Sequence, residues 1–181
     1  MQSKLKQLLL VISVLLLPSS LQAADFTLNA VHKDIQADYP GVSHLRADTL
    51  LKAIQKNKTQ DFIIFDVREK REFEISHIKG AYQLNPSSWA SQFMKKYGQQ
   101  VKGKRVVFYC SVGVRSSKMA RYLKQDLLKA GATSVVNLTQ GLFGWSNNKY
   151  PMVNEKGTTP FIHPYNDHWG QLLKSKENWR Y

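Results

Sequence analysis

Cysteine is nearly absent from this sequence, because Cys110 is the only one among 181 residues. A single cysteine cannot form an intrachain disulfide, so a disulfide-stapled fold is excluded. Cys110 is therefore either an inert buried thiol or a reactive one. No cysteines and histidines occur at the spacings typical of metal ligands. The sequence accordingly predicts no metal and no other cofactor.

Long apolar runs are also scarce. The most prominent one lies near the N-terminus. The run LLLVISVLLL has ten residues, fewer than the roughly 20 that a membrane-spanning helix needs. Lys4 and Lys6 precede it and small residues follow it, a pattern typical of a secretory signal peptide over residues 1–23. We expect cleavage after Ala23 or Ala24, a periplasmic or otherwise exported protein, and no stable membrane insertion of the mature chain.

Acidic residues are few, 13 against 26 lysines and arginines, and the formal net charge is +13. Loss of the signal peptide removes Lys4 and Lys6 and leaves +11. This balance favours anionic partners. The basic residues are scattered, without a basic block or interleaved aromatic residues, so we expect small anions and no nucleic acid as partners.

Buried-type strands alternate with amphipathic runs in the middle of the chain. Strands are predicted at residues 42–45, 61–67, 82–84, 104–109 and 134–138. Helices are predicted at residues 49–56, 68–74, 87–98 and 116–131. Asp48 is the predicted N-cap of the first helix, and Ser87 or Ser88 that of the third, which should stop at Gly98.

Two flanking segments differ from this alternating region. Residues 24–41 show no clear periodicity and are predicted to be a lead-in segment. Residues 154–181 carry many aromatic side chains, which are unfavourable to leave in water. We expect this C-terminal tail to pack on the domain, and a partner-binding tail is the alternative.

The alternation predicts an α/β domain with a central parallel sheet and helices on both faces. Ligands of such sheets bind at the carboxyl ends of the strands, and Cys110 follows a predicted strand directly. Gly113 lets the next loop turn backbone N–H groups inward, and the positive end of the following helix favours a thiolate. Arg115 adds a fixed cation. The sequence therefore predicts a sulfur nucleophile that meets an anionic substrate.

Four segments occur in an order that resembles the rhodanese family of sulfurtransferases over residues 42–153. They are VSHLRADTLLKAI, DVREKREFEISHIKGA, CSVGVRSS and VVNLTQGLFGWSNNKYP. The resemblance implies a rhodanese-like three-layer fold and identifies Cys110 as the persulfide-forming residue. It also implies a loop that holds the transferred sulfur and its donor, formed by Ser111, Val112, Gly113, Val114 and Arg115.

The resemblance also assigns residues around the site. Asp66, Arg68 and Ser116 are implied as supporting residues, the first two as a charged pair at the end of the sheet. His77 is expected to have a scaffold role in a turn, and Trp145 to belong to the core.

The activity implied is transfer of sulfane sulfur from a small anionic donor such as thiosulfate to a thiophilic acceptor. The acceptor would be cyanide in an assay and a thiol in the cell. One alternative is a non-catalytic module that binds an anion or a partner, although degenerate rhodanese domains commonly lose the cysteine. The other is a relative of the phosphatases and arsenate reductases, whose loop has seven residues. The six residues from Cys110 to Arg115 favour the rhodaneses.

Overall fold

A five-stranded parallel sheet forms the centre of the fold in the computed structural model, which describes residues 26–181. Its strands are β1 (Ser43–Leu45), β2 (Phe62–Asp66), β3 (Tyr82–Gln83), β4 (Arg105–Tyr109) and β5 (Ser134–Leu138). They lie in the order β1-β5-β4-β2-β3, and all neighbours are parallel. The predicted α/β class with a central parallel sheet is confirmed. The predicted signal peptide lies outside the described residues.

The part of the chain that the structure describes also contains seven α-helices, a short hairpin and two 3₁₀ helices, Thr59–Asp61 and Lys176–Asn178. The helices are α1 (Leu28–Asp38), α2 (Ala47–Gln55), α3 (Lys70–Ile75), α4 (Ala90–Tyr97), α5 (Val114–Lys129), α6 (Gly141–Asn147) and α7 (Asp167–Gly170). The antiparallel hairpin consists of β6 (Met152–Asn154) and β7 (Gly157–Thr159). Between residues 26 and 181, no helix is long and apolar enough to cross a membrane.

The central strands β2, β4 and β5 are buried on both faces, which explains their mostly apolar sequences. Ile64 and Val107 belong to one hydrophobic cluster, which α1, α2 and α6 cover. Their neighbours Phe65 and Phe108 belong to the opposite cluster, which α4 and α5 cover. Successive side chains of a strand point to opposite faces. A strand with helices on both sides therefore needs an apolar residue at nearly every position.

The first predicted helix cap is wrong. Helix α2 begins at Ala47 with Arg46 as its N-cap, and Asp48 lies inside the first turn. The Asp48 carboxylate accepts two hydrogen bonds from the Arg46 guanidinium, each 3.0 Å long. Asp48 therefore pairs with the Arg46 charge. Its negative charge in the first turn also interacts favourably with the positive end of the helix dipole, although it does not cap the helix.

The predicted start of α4 is wrong, whereas its predicted end is confirmed. The N-cap is Trp89 and neither Ser87 nor Ser88, and Gly98 is the C-cap. The Ser87 N–H instead donates to the Asn85 side chain in the preceding turn. Trp89 is 69% exposed and lies outside the core.

The lead-in segment contains a helix that the sequence does not predict. Helix α1 is capped by Thr27, whose hydroxyl accepts the Ala30 N–H at 3.1 Å. Only Val31 and Ile35 of its eleven residues are buried. Two apolar contacts four residues apart are too few to give a recognisable periodicity, which is why the helix was missed.

The C-terminal tail packs against the same cluster as α6. Ile162, Leu172 and Leu173 are buried in that cluster. Asn147, at the end of α6, donates to the Leu172 carbonyl at 2.7 Å and accepts the Lys174 N–H at 2.8 Å. The burial of these apolar side chains and the two hydrogen bonds of Asn147 together fix the tail on the domain.

Candidate functional site

The loop that carries Cys110 joins β4 to α5 at the carboxyl end of the sheet. Gly113 is the N-cap of α5 with φ 113°, and the helix begins at Val114, two residues before the predicted start. A Cβ atom on Gly113 would lie 3.0 Å from the Asn137 amide nitrogen and 3.3 Å from Ile35 Cδ1. Positive φ and close packing both require glycine at this position.

The sulfur of Cys110 lies at the bottom of a cavity of about 160 Å³. The Gly113 N–H donates a hydrogen bond to Sγ at 3.2 Å, and only 1% of the Cys110 surface is exposed. The loop side of the cavity is formed by Cys110, Ser111, Val112, Val114 and Arg115. The structure thus brings the loop residues singled out in the sequence around one small space.

Helix α6 determines which way the loop backbone faces. The N–H groups of Leu142 and Phe143 donate to the carbonyls of Cys110 and Ser111 at 2.8 and 2.9 Å. A Cβ atom on Gly141 would overlap the Cys110 carbonyl oxygen, and Gly141 has φ +54°. Because these carbonyls are bound by α6, they cannot turn toward the sulfur, which leaves the N–H side of the loop for it.

Arg115, predicted to be a fixed cation for an anionic substrate, is ion-paired within the domain. Its two terminal nitrogens bind the two carboxylate oxygens of Glu72 at 2.7 and 2.8 Å. The Ser111 hydroxyl accepts a hydrogen bond from Arg115 at 3.0 Å and donates to Glu72 at 3.2 Å. The three side chains form a closed hydrogen-bonded group that links α3 to the loop.

The charges of this group stabilise one another. Burial acts to raise the pKa of Glu72, but the hydrogen bonds and charge of Arg115 outweigh it and hold the pKa below its usual range. Burial also acts to lower the pKa of Arg115, and its contacts with Glu72 and Cys110 outweigh that effect and raise the pKa. Both side chains are therefore charged at neutral pH.

Asp66 and Arg68 form a fully buried ion pair where β2 ends, with a shortest nitrogen–oxygen distance of 2.7 Å. Arg68 also donates to the Ser76 carbonyl at the far end of α3. Burial acts to lower the pKa of Arg68, but Asp66 outweighs it and the pKa is raised. The pair fixes the position of α3 and hence of Glu72.

The remaining residues noted in the sequence have structural contacts. Ser116 donates to the Asn137 side chain on β5 at 2.7 Å, which ties the start of α5 to the sheet. His77 stacks on Phe73 with ring centroids 3.8 Å apart. Trp145 is 1% exposed and lies in the core. His77 and Trp145 do not line the cavity.

Three residues around the cavity were not identified from the sequence: Glu72, Tyr165 and Trp169. Tyr165 and Trp169 come from the C-terminal tail and line the cavity together with the loop residues. The Tyr165 ring lies over the Arg115 guanidinium, 4.9 Å from centroid to Cζ. No local sequence signal identifies Glu72, because its contact with Arg115 spans 43 positions of the chain.

Residues 46–148 match the family of rhodanese-like domains. The chain belongs to the rhodanese-like domain family. The fold is shared with a thiosulfate sulfurtransferase from Pseudomonas aeruginosa, with a TM-score of 0.54 and 16% identity over 70% of this chain and 23% of that one. It is also shared with a Bacillus halodurans protein, with a TM-score of 0.52 and 17% identity over 82% of this chain and 95% of that one.

Curated relatives align with this rhodanese-like protein over part of their length. An uncharacterized protein of Synechocystis is 34% identical over 111 residues, 58% of this chain and 55% of its own length. A tRNA uridine(34) hydroxylase of Wigglesworthia glossinidia brevipalpis is 28% identical over 136 residues, 69% of this chain and 40% of its own length. The chain thus spans about half or less of the length of these two relatives.

Proposed function

We propose that this protein is a sulfurtransferase that moves sulfane sulfur through a persulfide on Cys110. The observation that carries the proposal is the position of Cys110 Sγ, at the bottom of a small cavity with the Gly113 N–H directed at it from 3.2 Å. The positive end of the 16-residue helix α5 begins next to it. Both features favour a negative charge on sulfur.

In the first half-reaction, the Cys110 thiolate attacks the outer sulfur of a donor such as thiosulfate. A new bond forms between Sγ and that sulfur while the sulfur–sulfur bond of the donor breaks. Sulfite leaves with the electron pair, and Cys110 holds a persulfide whose terminal sulfur is negatively charged. The backbone N–H groups of the loop are the available partners for that charge.

In the second half-reaction, an acceptor thiol attacks the terminal sulfur of the persulfide. The bond between that sulfur and Sγ breaks, and its electron pair returns to Cys110 as the thiolate. The thiol proton stays with the product, a persulfide of the acceptor. Cyanide acts in the same way and yields thiocyanate. Over the two half-reactions Cys110 returns to its thiolate, so no external oxidant or reductant is needed.

The loop favours this reaction over the alternatives. It has six residues from Cys110 to Arg115, the length seen in rhodaneses, whereas the phosphatases and arsenate reductases of this fold use seven. A module that only binds a partner would not need Gly113 to direct an N–H group at the sulfur.

The test is mass spectrometry of the mature protein after incubation with thiosulfate. We expect a mass increase of about one sulfur atom on Cys110, which is lost when cyanide or a thiol is added. Cys110→Ser should keep the fold, because serine is similar in size, and should abolish both the mass increase and thiocyanate formation. Unchanged sulfur transfer by Cys110→Ser would refute the proposal.

We further propose that the protein works after export to the periplasm, and the support is the pattern of residues 1–23. N-terminal sequencing of the protein from a periplasmic fraction should begin at Ala24 or Asp25. Recovery of intact Met1 in the membrane fraction would contradict this.

A further inference from the structure

Part of the cavity lining comes from a segment of the chain outside the family match. The match ends at residue 148, whereas Tyr165 and Trp169 lie in the C-terminal tail and line the same cavity as Cys110. This tail wall, defined as Tyr165 and Trp169, is therefore an addition of this chain to the rhodanese-like domain. The aromatic side chains of the tail wall therefore affect which substrates fit the cavity.

Tyr165 has a strained backbone conformation that its surroundings enforce. Its φ is +68°, a region that a bulky residue rarely adopts and that persists where surrounding structure enforces it. The Tyr165 N–H donates to Nδ1 of His163 at 2.9 Å, and His163 is 1% exposed. The buried imidazole thus fixes the turn that places the Tyr165 ring over Arg115.

Trp169 is positioned by α7 and by aromatic neighbours. The backbone N–H of Trp169 donates to the Asn166 side chain at 3.0 Å. The centroid of the Trp169 ring lies 5.6 Å from those of the Phe26 and His168 rings. The following residue, Gly170, has no room for a side chain, because a Cβ atom there would lie 2.5 Å from the Trp179 ring. Close packing and a hydrogen bond therefore hold the side chains of the tail wall in fixed positions.

The cavity is apolar apart from its reactive end. Val112, Val114 and the two aromatic rings form most of its lining. Arg115 is already bound by Glu72 through two hydrogen bonds and is covered by Tyr165. The cavity volume of about 160 Å³ is close to the roughly 150 Å³ of an apolar cavity that holds benzene. A bare inorganic anion would leave this apolar surface unused.

We propose that the tail wall is a subsite for the apolar substituent of an organic sulfur donor. The preferred donor carries a hydrocarbon group of about the size of one ring, and its outer sulfur is directed at Cys110. This inference rests on the proposed sulfur transfer. With a thiosulfonate, R–SO₂–S⁻, the Cys110 thiolate bonds to the outer sulfur, the sulfur–sulfur bond breaks, and the sulfinate R–SO₂⁻ leaves with the electron pair.

The experiment compares three donors, thiosulfate, methanethiosulfonate and benzenethiosulfonate, with cyanide as the acceptor. Each kcat/KM is divided by the rate of the same donor with free cysteine, which removes differences in intrinsic reactivity. We expect the normalised value for benzenethiosulfonate to exceed that for methanethiosulfonate by about tenfold or more, since contacts of a few methylene groups in an apolar pocket contribute this much. Benzenesulfinate should also inhibit more strongly than methanesulfinate.

Variants locate the preference in the tail wall. Trp169→Ala and Tyr165→Leu should each reduce the ratio between the two thiosulfonates to within about threefold. Trp89→Ala is the matched control, because Trp89 is 69% exposed and does not line the cavity, and it should keep the native ratio. The ratio is measured within one protein sample, so a partly unfolded variant still gives an interpretable result.

Two outcomes would overturn the inference. A native ratio near one, in a protein that transfers sulfur from thiosulfate, would refute the subsite and leave the proposed function intact. A native preference that survives both tail-wall substitutions would place the substituent elsewhere. Absence of transfer from all three donors, with no persulfide on Cys110, would instead refute the proposed function itself.

Discussion

At the scale of single residues, Arg115 connects the reactive loop to the rest of the domain. It binds Glu72 on α3, the Ser111 hydroxyl in the loop and the Tyr165 ring in the tail. Glu72 is 1% exposed at its side chain and Arg115 is 24% exposed. A buried carboxylate such as that of Glu72 is strongly destabilising without a cationic partner. Arg115 therefore stabilises the position of the loop, in addition to any contact that it makes with a sulfur donor.

Removal of Arg115 should therefore affect both stability and rate. We expect Arg115→Ala to lower the free energy of unfolding by about 2–3 kcal/mol, less than for a fully buried pair because Arg115 is partly exposed to solvent. The kcat/KM for thiosulfate should fall by about tenfold to a thousandfold. Chemical denaturation and steady-state kinetics measure the two effects.

The double variant Arg115→Ala/Glu72→Gln is the control. It leaves no unpaired buried charge, so it should be less destabilised than the sum of the single variants. Strict additivity in this cycle would show that the two side chains are not coupled.

The residues of the site differ in how far they could be predicted from the sequence. Cys110, Gly113 and Arg115 are close in the chain, and a strand, a glycine and a helix in that order define their geometry locally. Glu72 lies 43 positions from Arg115, and the tail wall lies more than 50 positions from Cys110. Which distant side chains meet the loop depends on the packing of α3 and the tail, which no local pattern encodes.

At the scale of secondary-structure elements, the contact between α6 and the loop is the most sensitive to substitution. Gly141→Ala would add a Cβ atom that overlaps the Cys110 carbonyl oxygen at a residue with φ +54°. We expect a loss of at least about 2 kcal/mol in unfolding free energy, together with reduced persulfide formation, because strain and overlap act together. Thermal unfolding and the mass-spectrometric assay measure the two effects.

Gly80→Ala is the matched control for Gly141→Ala. Gly80 also has a positive φ, +81°, but a Cβ atom there would meet nothing within 4 Å. It should show only the backbone strain, about 1 kcal/mol, and normal persulfide formation. Equal effects of the two substitutions would mean that the close approach of α6 is not important.

Elements were predicted best where burial leaves a clear pattern. The central strands β2, β4 and β5 are mostly apolar runs, and each is predicted to within one residue at either end. Helix α6 is buried at Gly141, Leu142, Phe143, Gly144 and Trp145, so it has no polar face and no amphipathic period. Asp48 does not cap α2 because its carboxylate binds the Arg46 side chain, two positions away in the sequence.

At the scale of the whole molecule, three buried or half-buried histidines make stability depend on pH. Burial lowers the pKa of His32, His44 and His163, and the charge of His32 lowers that of His44 further. In the unfolded chain these groups titrate near 6.5. Below that pH the unfolded state binds more protons than the folded state, so stability decreases as the pH falls.

We expect the Tm to decrease by a few degrees between pH 7 and pH 5 at constant ionic strength. The rings of His32 and His44 are in contact, with centroids 4.7 Å apart, so the variant His32→Gln/His44→Gln should show a smaller decrease than the native protein. Differential scanning calorimetry at each pH measures this. A native Tm that stays constant or rises toward pH 5 would contradict it.

The burial of Cys110 has a consequence for oxidative damage. A thiolate that reacts with peroxides passes to sulfenic acid and then irreversibly to sulfinic acid, and susceptibility follows exposure. Cys110 is 1% exposed and shares its cavity with the tail wall, and the chain has no second cysteine that could rescue a sulfenic acid as an intrachain disulfide. With no such repair route, restricted access is the protection against overoxidation that this fold provides for its single thiol.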